Sequence, residues 1–322
     1  MSDVGPGTNI RNSKIPVGPN GFVMFVDVMG DDGAIVDAAR LSYHLENHAS
    51  GNKLKRSDRD LLRYLMRNQH MTPFEMVELK FHVRCPMDVW RQWIRHRTAN
   101  VNEYSTRYSI AIDSAMITGD NDWRYQGGRT KRQGSDSDDD TLPDTVGKRL
   151  TQEERELQLY ARRVYQNRID EGVAREQARK DLPLSTYTES IWKCDLRNTF
   201  NFLRLRLDSH AQKEIREFAQ AISVFVRQLC PVAYKAFEEY MTNQLAFSNT
   251  EAELLQLINV DMDKPDADPA LVGMTINDRL GRSERVELMA KLRRILPSRA
   301  VGVVQAAVNR EATRARGDNK GA

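Results

Sequence analysis

Hydrophobic and polar residues alternate along the chain with two different periods, one typical of strands and the other of helices. The apolar run GFVMFVDVM begins at Gly21 and predicts a first strand. In residues 78–85, ELKFHVRC, charged and apolar residues alternate strictly, which predicts a strand with one buried face. A short helix followed by another strand is predicted within residues 174–192.

Helices are predicted where apolar residues recur with the helical period of about 3.6 residues. In TPFE, Thr72 is a candidate N-cap and Pro73 a first helical residue, so a short helical turn is expected there. A helix is also predicted from Met87 to Arg97. Further amphipathic helices are predicted from Thr151 to Gly172 and from Asp195 through Leu207. Ser209 and Gln212 are expected to cap another helix, which ends before Pro231.

Three segments have the composition of connecting or peripheral chain. Residues 1–20 are rich in Gly, Pro, Asn and Ser and predict a flexible N-terminal arm. Residues 119–147 contain a basic patch and then an acidic run, which predicts a mobile insertion outside the core. After residue 247 the pattern weakens. Residues 261–273, DMDKPDADPALVG, predict a linker before one last amphipathic helix in residues 283–296, so residues 248–322 are expected to form a C-terminal helical extension.

The composition favours a soluble globular protein, since the 322 residues are 40% hydrophobic. The 48 basic residues nearly balance the 45 acidic ones, and a net charge of +3 does not indicate a nucleic-acid-binding protein. No stretch reaches the roughly 18 uninterrupted apolar residues of a membrane span, and residues 1–20 lack the apolar centre of a signal peptide. A cytoplasmic location without a membrane partner is expected.

A first candidate cluster lies on the helix predicted from Met87 to Arg97. At about 100° per residue, Gln92, Arg95 and His96 share its polar face. An ordinary solvated surface would explain these three residues. Arg97 falls within the apolar arc, where a guanidinium is costly. The chain must therefore turn at Arg97, or an anionic ligand must lie there.

A second cluster follows in NEYSTRYS. If this segment is extended, Glu103, Ser105 and Arg107 project to one side, and Tyr104 and Thr106 to the other. A carboxylate, a hydroxyl and a guanidinium on one side suit a nucleotide, because Arg binds phosphate oxygens in a bidentate manner. An edge strand with exposed polar residues is an equal alternative for the segment taken alone.

A third cluster surrounds the junction of two predicted helices in DLRNTFNFLRLRLDSHAQ. Arg197, Asn198 and Asn201 lie opposite the apolar stripe, Arg206 lies at its flank, and His210 follows in the next helix. Such a concentration of polar residues exceeds what a solvated surface requires.

Motifs for several other chemistries are absent or incomplete. There is no Gly-Lys-Ser/Thr phosphate loop and no Gly-x-Gly-x-x-Gly after a strand. His44 and His48 have the spacing of helical metal ligands, but Glu46 is misplaced for a zincin motif, so no metal site is expected. The cysteines are widely spaced and are expected to be reduced and buried, namely Cys85, Cys194 and Cys230.

The segment RHRTANVNEYS, residues 95–105, resembles the signature of the flavin-dependent thymidylate synthases, in which Arg-His-Arg is followed by seven residues and Ser. Other segments similar to this family occur in the same order, namely DVMGDD, AARLSY, HMTPFE, LPLSTYTE and FNFLRLRLDSHAQ. Together they extend over residues 21–247. The chain is identified as a member of the family, with its catalytic domain in this range.

The resemblance implies an α+β fold in which long helices flank a central, mostly antiparallel or mixed sheet. It implies a homotetramer whose active sites are shared between subunits, with FAD as bound cofactor and no obligatory nucleic acid. The reaction implied is methylation of dUMP at C5, with methylenetetrahydrofolate as carbon donor and NADPH as reductant. Because reduced flavin supplies a hydride in this family, no nucleophilic cysteine is required.

The resemblance also assigns roles to individual residues. The catalytic residues are Arg206, which would stabilise ionised N3 of the uracil, and Ser105, as a group that positions the substrate. Asp195 departs from the Asn expected in many relatives, and the N-cap of the following helix is a sufficient structural role for it. The cofactor-binding residues implied are Ser42, Thr72, Arg95, His96, Arg97, Glu103, Asp195, Arg197 and Asn201. The substrate-binding residues implied are Gln92, Arg95, Glu103, Ser105, Arg107, Arg179 and Arg206.

Two alternatives remain open at this point. A related enzyme could use the same site but complete the transfer with water, which would give a hydroxymethylated nucleotide. A different class, an RNA- or DNA-binding protein, could use the Arg- and Tyr-rich residues 91–108 and the basic C-terminal helix. The near-balanced charge and the wide separation of the three polar clusters argue against the second alternative.

Overall fold

The computed structural model describes residues 10–41, 54–127, 134–135, 137–262, 275–280, 282–296, 301–306 and 308–309. The chain forms two compact units, residues 1–243 and residues 244–322. All candidate site residues belong to the first unit.

The first unit is built on a five-stranded antiparallel sheet in the order β1-β2-β3-β5-β4. The sheet and its surrounding helices confirm the α+β class. The strands are β1 (Lys14–Val17), β2 (Gly21–Met29), β3 (Glu78–Pro86), β4 (Asn100–Glu103) and β5 (Tyr187–Asp195).

Strand β3 has the two faces that its alternating sequence predicts. Leu79 and Phe81 are fully buried, whereas His82 on the opposite face is half-buried. His82 Nε2 lies 2.8 Å from Glu189 Oε2 on β5, in a direct cross-strand contact. The apolar face therefore belongs to the core, and the polar face carries cross-strand contacts between polar side chains, which include the 3.1 Å ion pair of Lys193 with Glu78.

Helices cover the apolar face and connect the strands. A 3-10 helix spans Thr72–Met76, another spans Arg179–Asp181, and a π-helical turn spans Glu238–Thr242. The α-helices are α1 (Asp32–Leu41), α2 (Arg56–Arg67), α3 (Met87–Trp93), α4 (Asp144–Asp170), α5 (Arg175–Ala178), α6 (Leu196–Arg206), α7 (Lys213–Leu229) and α8 (Pro231–Phe237).

A cluster of aromatic rings fixes α3 against α6 and the sheet. The Trp93 ring, at the end of α3, lies 4.8 Å from the Phe202 ring of α6 and 5.6 Å from the Trp192 ring of β5, measured between centroids. Trp93 is completely buried. Because aromatic pairs of this kind add to the stabilisation from buried area, the residues that follow Trp93 and Phe202 are held in a defined relation.

Several predicted boundaries are wrong for local reasons. Part of the predicted flexible arm is strand β1, which pairs with β2. Thr72 is the first residue of a 3-10 helix and not an N-cap, since Met71 occupies that position. The long helix α4 begins at Asp144, before Thr151, but it ends as expected near Gly172, which adopts a left-handed φ of 77°.

The second unit contains its own small hydrophobic cluster, which includes Leu254, Ile276 and Leu288. Its helices include α9 (Asn249–Met262) and α10 (Arg282–Ile295), and residues 301–306 are also helical. Helix α10 confirms the amphipathic helix predicted there. The linker predicted after residue 260 lies mostly outside the described residues. Among the helices that the structure describes, none combines the length and the apolar character needed to cross a bilayer.

Candidate functional site

Arg206, in the last turn of α6, is held by two residues that lie far away in the sequence. Its Nε donates to Nε2 of His96 at 3.0 Å, and its Nη2 donates to the backbone carbonyl of Gln92 at 3.2 Å. The packing of Trp93 against Phe202 brings these groups together. The Nε and Nη2 groups are thus hydrogen-bonded within the protein, and among the described residues Nη1 has no hydrogen-bond partner, so it can donate to a ligand.

The environment keeps His96 neutral. Burial, and then the positive charge of Arg206, lower the pKa of His96 from 6.5 to about 4. Its Nε2 is therefore an acceptor at neutral pH, which matches the hydrogen bond from Arg206. Burial also lowers the pKa of the Arg206 guanidinium, which still carries its charge at every physiological pH.

A cleft of ≈ 1090 Å³ adjoins this arrangement. Gln92, Arg95 and Arg206 line it, as does Arg124 from the predicted insertion. Arg206 also lines a second cavity of ≈ 720 Å³, which lies between the end of α6 and α8. We call Gln92, Arg95, His96 and Arg206 the helix half of the site.

The described part of residues 119–147 contacts α4 and α7 but contributes no residue to the hydrophobic clusters, so it lies outside the core as predicted. Trp123 Nε1 donates to Thr151 Oγ1 on α4 at 2.9 Å. A Cβ at Gly147 would lie 1.8 Å from the carbonyl oxygen of Asp120, so that only glycine permits the approach of the two backbones. The basic residues 128–133 lie outside the described residues.

The second cluster forms a separate group, which we call the loop half: Glu103, Ser105, Arg107 and Arg179. Glu103 ends β4, and its carboxylate accepts hydrogen bonds from Trp90 Nε1 at 2.9 Å and from Thr188 Oγ1 at 2.8 Å. These contacts hold Glu103 between α3 and β5.

The predicted alternation of side chains ends at Glu103. The backbone oxygen of Ser105 accepts from the amides of Tyr108 and Ser109, which closes a turn and ends the extended conformation. The side-chain oxygen of Ser105 accepts from the amide of Arg107 at 3.3 Å. The interpretation of residues 103–109 as one continuous extended segment is therefore wrong.

Residues of α5 and the adjoining 3-10 helix hold this turn in place. Arg107 Nε donates to Glu176 Oε2 at 2.9 Å, and both side chains are more than half exposed. Arg179 donates to Thr106 Oγ1. None of the loop-half residues lines the ≈ 1090 Å³ cleft.

The remaining cofactor candidates surround the helix half. Arg97 does not lie on an apolar helical face, because α3 ends at Trp93 and the chain turns before Arg97, which is one of the two alternatives that its position in the sequence left open. Arg95 and Arg97 are exposed and, within the described part of the chain, form no ion pair. Uncompensated guanidinium groups of this kind match the diphosphate of a dinucleotide.

Four other candidates occupy the start and the outer face of α6 or lie beside it. Arg197 pairs with Glu75, close to the exposed Thr72, and Asn201 is exposed on the same helix. Asp195 is the N-cap of α6, as its side chain accepts from the amide of Asn198 at 2.8 Å. Ser42 lies outside the described residues.

No role in the site was predicted for three residues that contact the helix half or line the same cleft, namely Arg124, Gln212 and Glu214. Gln92 Nε2 donates to Gln212 Oε1, and Arg124 forms a salt bridge of 2.7 Å with Glu214. The only local signal was the helix-start spacing that made Gln212 a candidate cap; Gln212 is the N-cap of α7 by position, but without a side-chain cap hydrogen bond. No pattern connects Arg124 with Glu214, which lies 90 residues away in the sequence.

The expected state of the cysteines is confirmed. Cys85, Cys194 and Cys230 are free and buried, and burial raises the pKa of the Cys194 thiol to about 12. A thiol with so high a pKa is a poor nucleophile at neutral pH. Among the described residues, no three His, Cys, Asp or Glu side chains are grouped as metal ligands.

Comparison with known proteins identifies the family to which this chain belongs. Residues 24–232 match the family described as "Thymidylate synthase complementing protein". The chain belongs to the flavin-dependent thymidylate synthase family. A flavin-dependent thymidylate synthase of Thermus thermophilus is 46% identical over 242 residues, which are 75% of this chain and 84% of the relative. One from Dictyostelium discoideum is 40% identical over 251 residues, 76% of this chain and 80% of the relative.

The solved structure of a nucleotide methylase has a similar fold. The UMP/dUMP methylase PolB from Streptomyces cacaoi, bound with 5-Br dUMP, matches with a TM-score of 0.61 and 30% identity. The match covers 71% of this chain and 99% of the methylase. The family resemblance of the sequence and the prediction of an enzyme are thus confirmed.

Proposed function

We propose that the protein catalyses the reductive methylation of dUMP to dTMP. The observation that carries this proposal is the guanidinium of Arg206, fixed by His96 and Gln92 with its Nη1 donors free at the edge of a cleft large enough for a nucleotide. Membership of the flavin-dependent thymidylate synthases and the similarity to a methylase solved with 5-Br dUMP support it.

Arg206 would act by electrostatic stabilisation. A fixed cation against the uracil favours the anionic form at N3, and the added electron density makes C5 more nucleophilic. His96 and the Gln92 carbonyl keep the guanidinium from rotating, so little reorganisation is needed during the reaction. The nucleotide itself can therefore attack the one-carbon donor without a covalent thiol adduct.

The substrate contacts would come from both halves of the site. Gln92 and Arg95 would bind the nucleotide in the cleft beside Arg206. Arg107 and Arg179 have the charge that a phosphate requires, and Ser105 and Glu103 offer a hydroxyl and a carboxylate for the sugar or base. Ser105 shapes the turn that carries Arg107 and would act as a positioning group.

The donor set also fits a flavin, and FAD in particular, because Arg95 and Arg97 present uncompensated charges to a diphosphate. Arg197, Asn201, Thr72 and His96 would complete the contacts, with Ser42, Glu103 and Asp195 as further candidates. When bound, the flavin would supply the reducing equivalents that convert the transferred carbon into a methyl group. NADPH would provide these electrons and methylenetetrahydrofolate the carbon.

The separation of the two halves supports an assembly. Because Glu103, Ser105, Arg107 and Arg179 do not line the cleft that holds Arg206, we propose that the loop half of one copy completes the helix half of another within a homotetramer. Residues 21–247 would form the catalytic domain, and residues 248–322 an extension outside the chemistry.

Product identification tests the proposed function. The purified protein is incubated with dUMP, methylenetetrahydrofolate and NADPH, and the nucleotide is analysed by mass spectrometry. We expect dTMP, tetrahydrofolate and NADP⁺ in equal amounts, and no dTMP when NADPH is omitted. A 5-hydroxymethyl product would assign the protein to the hydroxymethylases instead. A colourless protein that binds oligonucleotides tightly at physiological salt would contradict the proposal.

A further inference from the structure

Two buried donors hold the carboxylate of Glu103 at the end of β4. Trp90 Nε1 donates to Oε2 at 2.9 Å, and Thr188 Oγ1 donates to Oε1 at 2.8 Å. Trp90 is 3% and Thr188 is 5% exposed, whereas Glu103 itself is an exposed residue. Both carboxylate oxygens are therefore fixed from inside the protein, while the side chain remains accessible from outside.

Both donors belong to rigid parts of the fold. Trp90 lies in α3, and its ring lies 5.8 Å from the ring of Trp93, measured between centroids. Thr188 lies in β5, the strand that pairs with both β3 and β4. Because Trp93 also packs against α6, the aromatic cluster that positions Arg206 also holds a donor to Glu103.

These contacts prepare Glu103 as an acceptor. An ionised carboxylate has about four lone-pair sites, and the two internal donors leave the others for a ligand. A free Glu side chain loses much of its rotamer freedom when it binds. Because Trp90 and Thr188 have already removed that freedom, less free energy is lost when Glu103 contacts a ligand.

We propose that Trp90 and Thr188 are positioning residues that hold the Glu103 carboxylate ready to accept a hydrogen bond from the bound nucleotide. The partner on the nucleotide is a hydroxyl or an N–H group, because carbonyl groups and ionised phosphate oxygens cannot donate. This inference rests on the proposed function, in which Glu103 contacts the sugar or base of dUMP.

The simplest competing explanation is that the two hydrogen bonds only stabilise the fold, since buried donors need partners wherever they lie. Ser114 provides a matched control, because its Oγ accepts from Nη2 of Arg84 on β3 at 2.7 Å. This contact also joins a hydroxyl to a charged side chain of a strand. Neither Ser114 nor Arg84 lines the ≈ 1090 Å³ cleft, and neither belongs to the helix half or the loop half.

The test combines isothermal titration calorimetry of dUMP binding to full-length, flavin-loaded protein with urea unfolding. Thr188→Val removes the hydroxyl and should raise the dUMP Kd roughly three- to tenfold, as should Trp90→Phe, which removes only the indole N–H donor. Thr188→Ser keeps the hydroxyl, so its Kd should stay within about twofold of wild type although the lost methyl group lowers stability. Ser114→Ala should lower the urea midpoint and leave the Kd within about twofold, since it lies outside the site.

A double-mutant cycle shows whether Thr188 acts through Glu103. In a Glu103→Ala background, adding Thr188→Val should change the dUMP Kd by less than about twofold, because the group that Thr188 positions is already absent. A full effect in that background would overturn the inference, as would an unchanged Kd in Thr188→Val or an equal rise in Ser114→Ala.

Two further outcomes are decisive. If Trp90→Phe fails to fold, the Thr188 variants decide alone. A wild-type protein that does not bind dUMP would overturn the proposed function together with this inference, whereas normal binding that Thr188→Val leaves unchanged would overturn this inference only.

Discussion

Arg206 and Arg107 are both cations of the candidate site, but the structure fixes them by different means. Arg206 ends a helix, is partly buried and donates to His96 and Gln92, which are themselves members of the site. Arg107 lies in an exposed turn and is held by Glu176, which lies outside the site. Arg206 is thus oriented by other members of the helix half, whereas Arg107 of the loop half is held by a residue of α5.

This difference separates two tasks. A group that stabilises charge during the reaction must already be oriented before the substrate arrives. A group that captures a phosphate can be exposed and adaptable, since phosphate binding depends mainly on charge and on bidentate contacts. We therefore expect substitution of Arg206 to act mainly on kcat, and substitutions of the loop-half cations mainly on KM.

The largest effect is expected for Arg206→Ala. Loss of the fixed cation should lower kcat roughly 100- to 1000-fold, as removal of other preorganised charge-stabilising groups does. Flavin content, measured from the visible absorbance, should be unchanged because the flavin contacts are assigned to other residues. Arg149→Ala, which removes an exposed cation on α4, is the control. Near-normal turnover of Arg206→Ala would refute its assigned role.

Arg107→Ala should have an intermediate effect on a different constant. We expect KM for dUMP to rise about tenfold, with kcat within about threefold of wild type, because a lost phosphate contact weakens binding alone. Glu176→Gln releases Arg107 without removing it and should raise KM in the same direction by a smaller factor. Steady-state kinetics with varied dUMP measure both. A fall in kcat with an unchanged KM would remove the distinction between the two halves.

His96 provides a test of the helix half through pH. The unfolded chain binds a proton at His96 near pH 6.5, but the folded protein does so only near pH 4. The unfolded state therefore binds more protons in this window, and the free energy of unfolding should fall as pH is lowered from about 6.5 to about 4. His96→Gln keeps an acceptor for Arg206 and removes the titration.

Urea unfolding of wild type and His96→Gln at pH 7 and pH 4.5 measures this contribution. The loss of stability at low pH should be smaller in His96→Gln than in wild type. Equal losses in both proteins would show that His96 does not stay neutral beside Arg206. The exposed His210, replaced by Gln, is the control, because it pairs with Asp208 on the surface.

The smallest effect is expected for deletion of residues 248–322. The first unit has its own sheet and core, and the described elements of the second unit form a separate cluster. We expect kcat/KM of the truncated protein to stay within about twofold of wild type. Circular dichroism and size-exclusion chromatography establish that the truncation is folded and keeps its assembly. Loss of activity in such a protein would place part of the site in the extension.

The structure also shows which features of this molecule could be predicted from its sequence. Strand β3 and helices α6 and α7 follow from local periodicity, and Asp195 from the requirement of an N-cap. These features depend on neighbouring residues alone. The class of the fold and the family followed in the same way, from motifs such as RHRTANVNEYS.

Contacts between distant segments could not be read in this way. Arg206 and His96 are 110 residues apart, and Arg124 and Glu214 are 90 apart, so their meeting depends on how Trp93 packs against Phe202 and on how the inserted segment folds back. The turn at Ser105 was missed because the alternation of NEYSTRYS has the period of a strand, whereas α5 imposes a turn on it. At Ser105, tertiary packing therefore overrides the local strand-like pattern.

Co-expression of two variants tests most directly that the halves meet between copies of the chain. Arg206→Ala lacks the helix-half cation, and Arg107→Glu replaces the loop-half cation with a carboxylate that repels phosphate. Each alone should be inactive. If a site combines Arg206 of one copy with Arg107 of another, about a quarter of the sites in randomly mixed assemblies regain both arginines. We predict recovery of about a quarter of wild-type activity on that basis, and a mixture as inactive as its components would contradict the account.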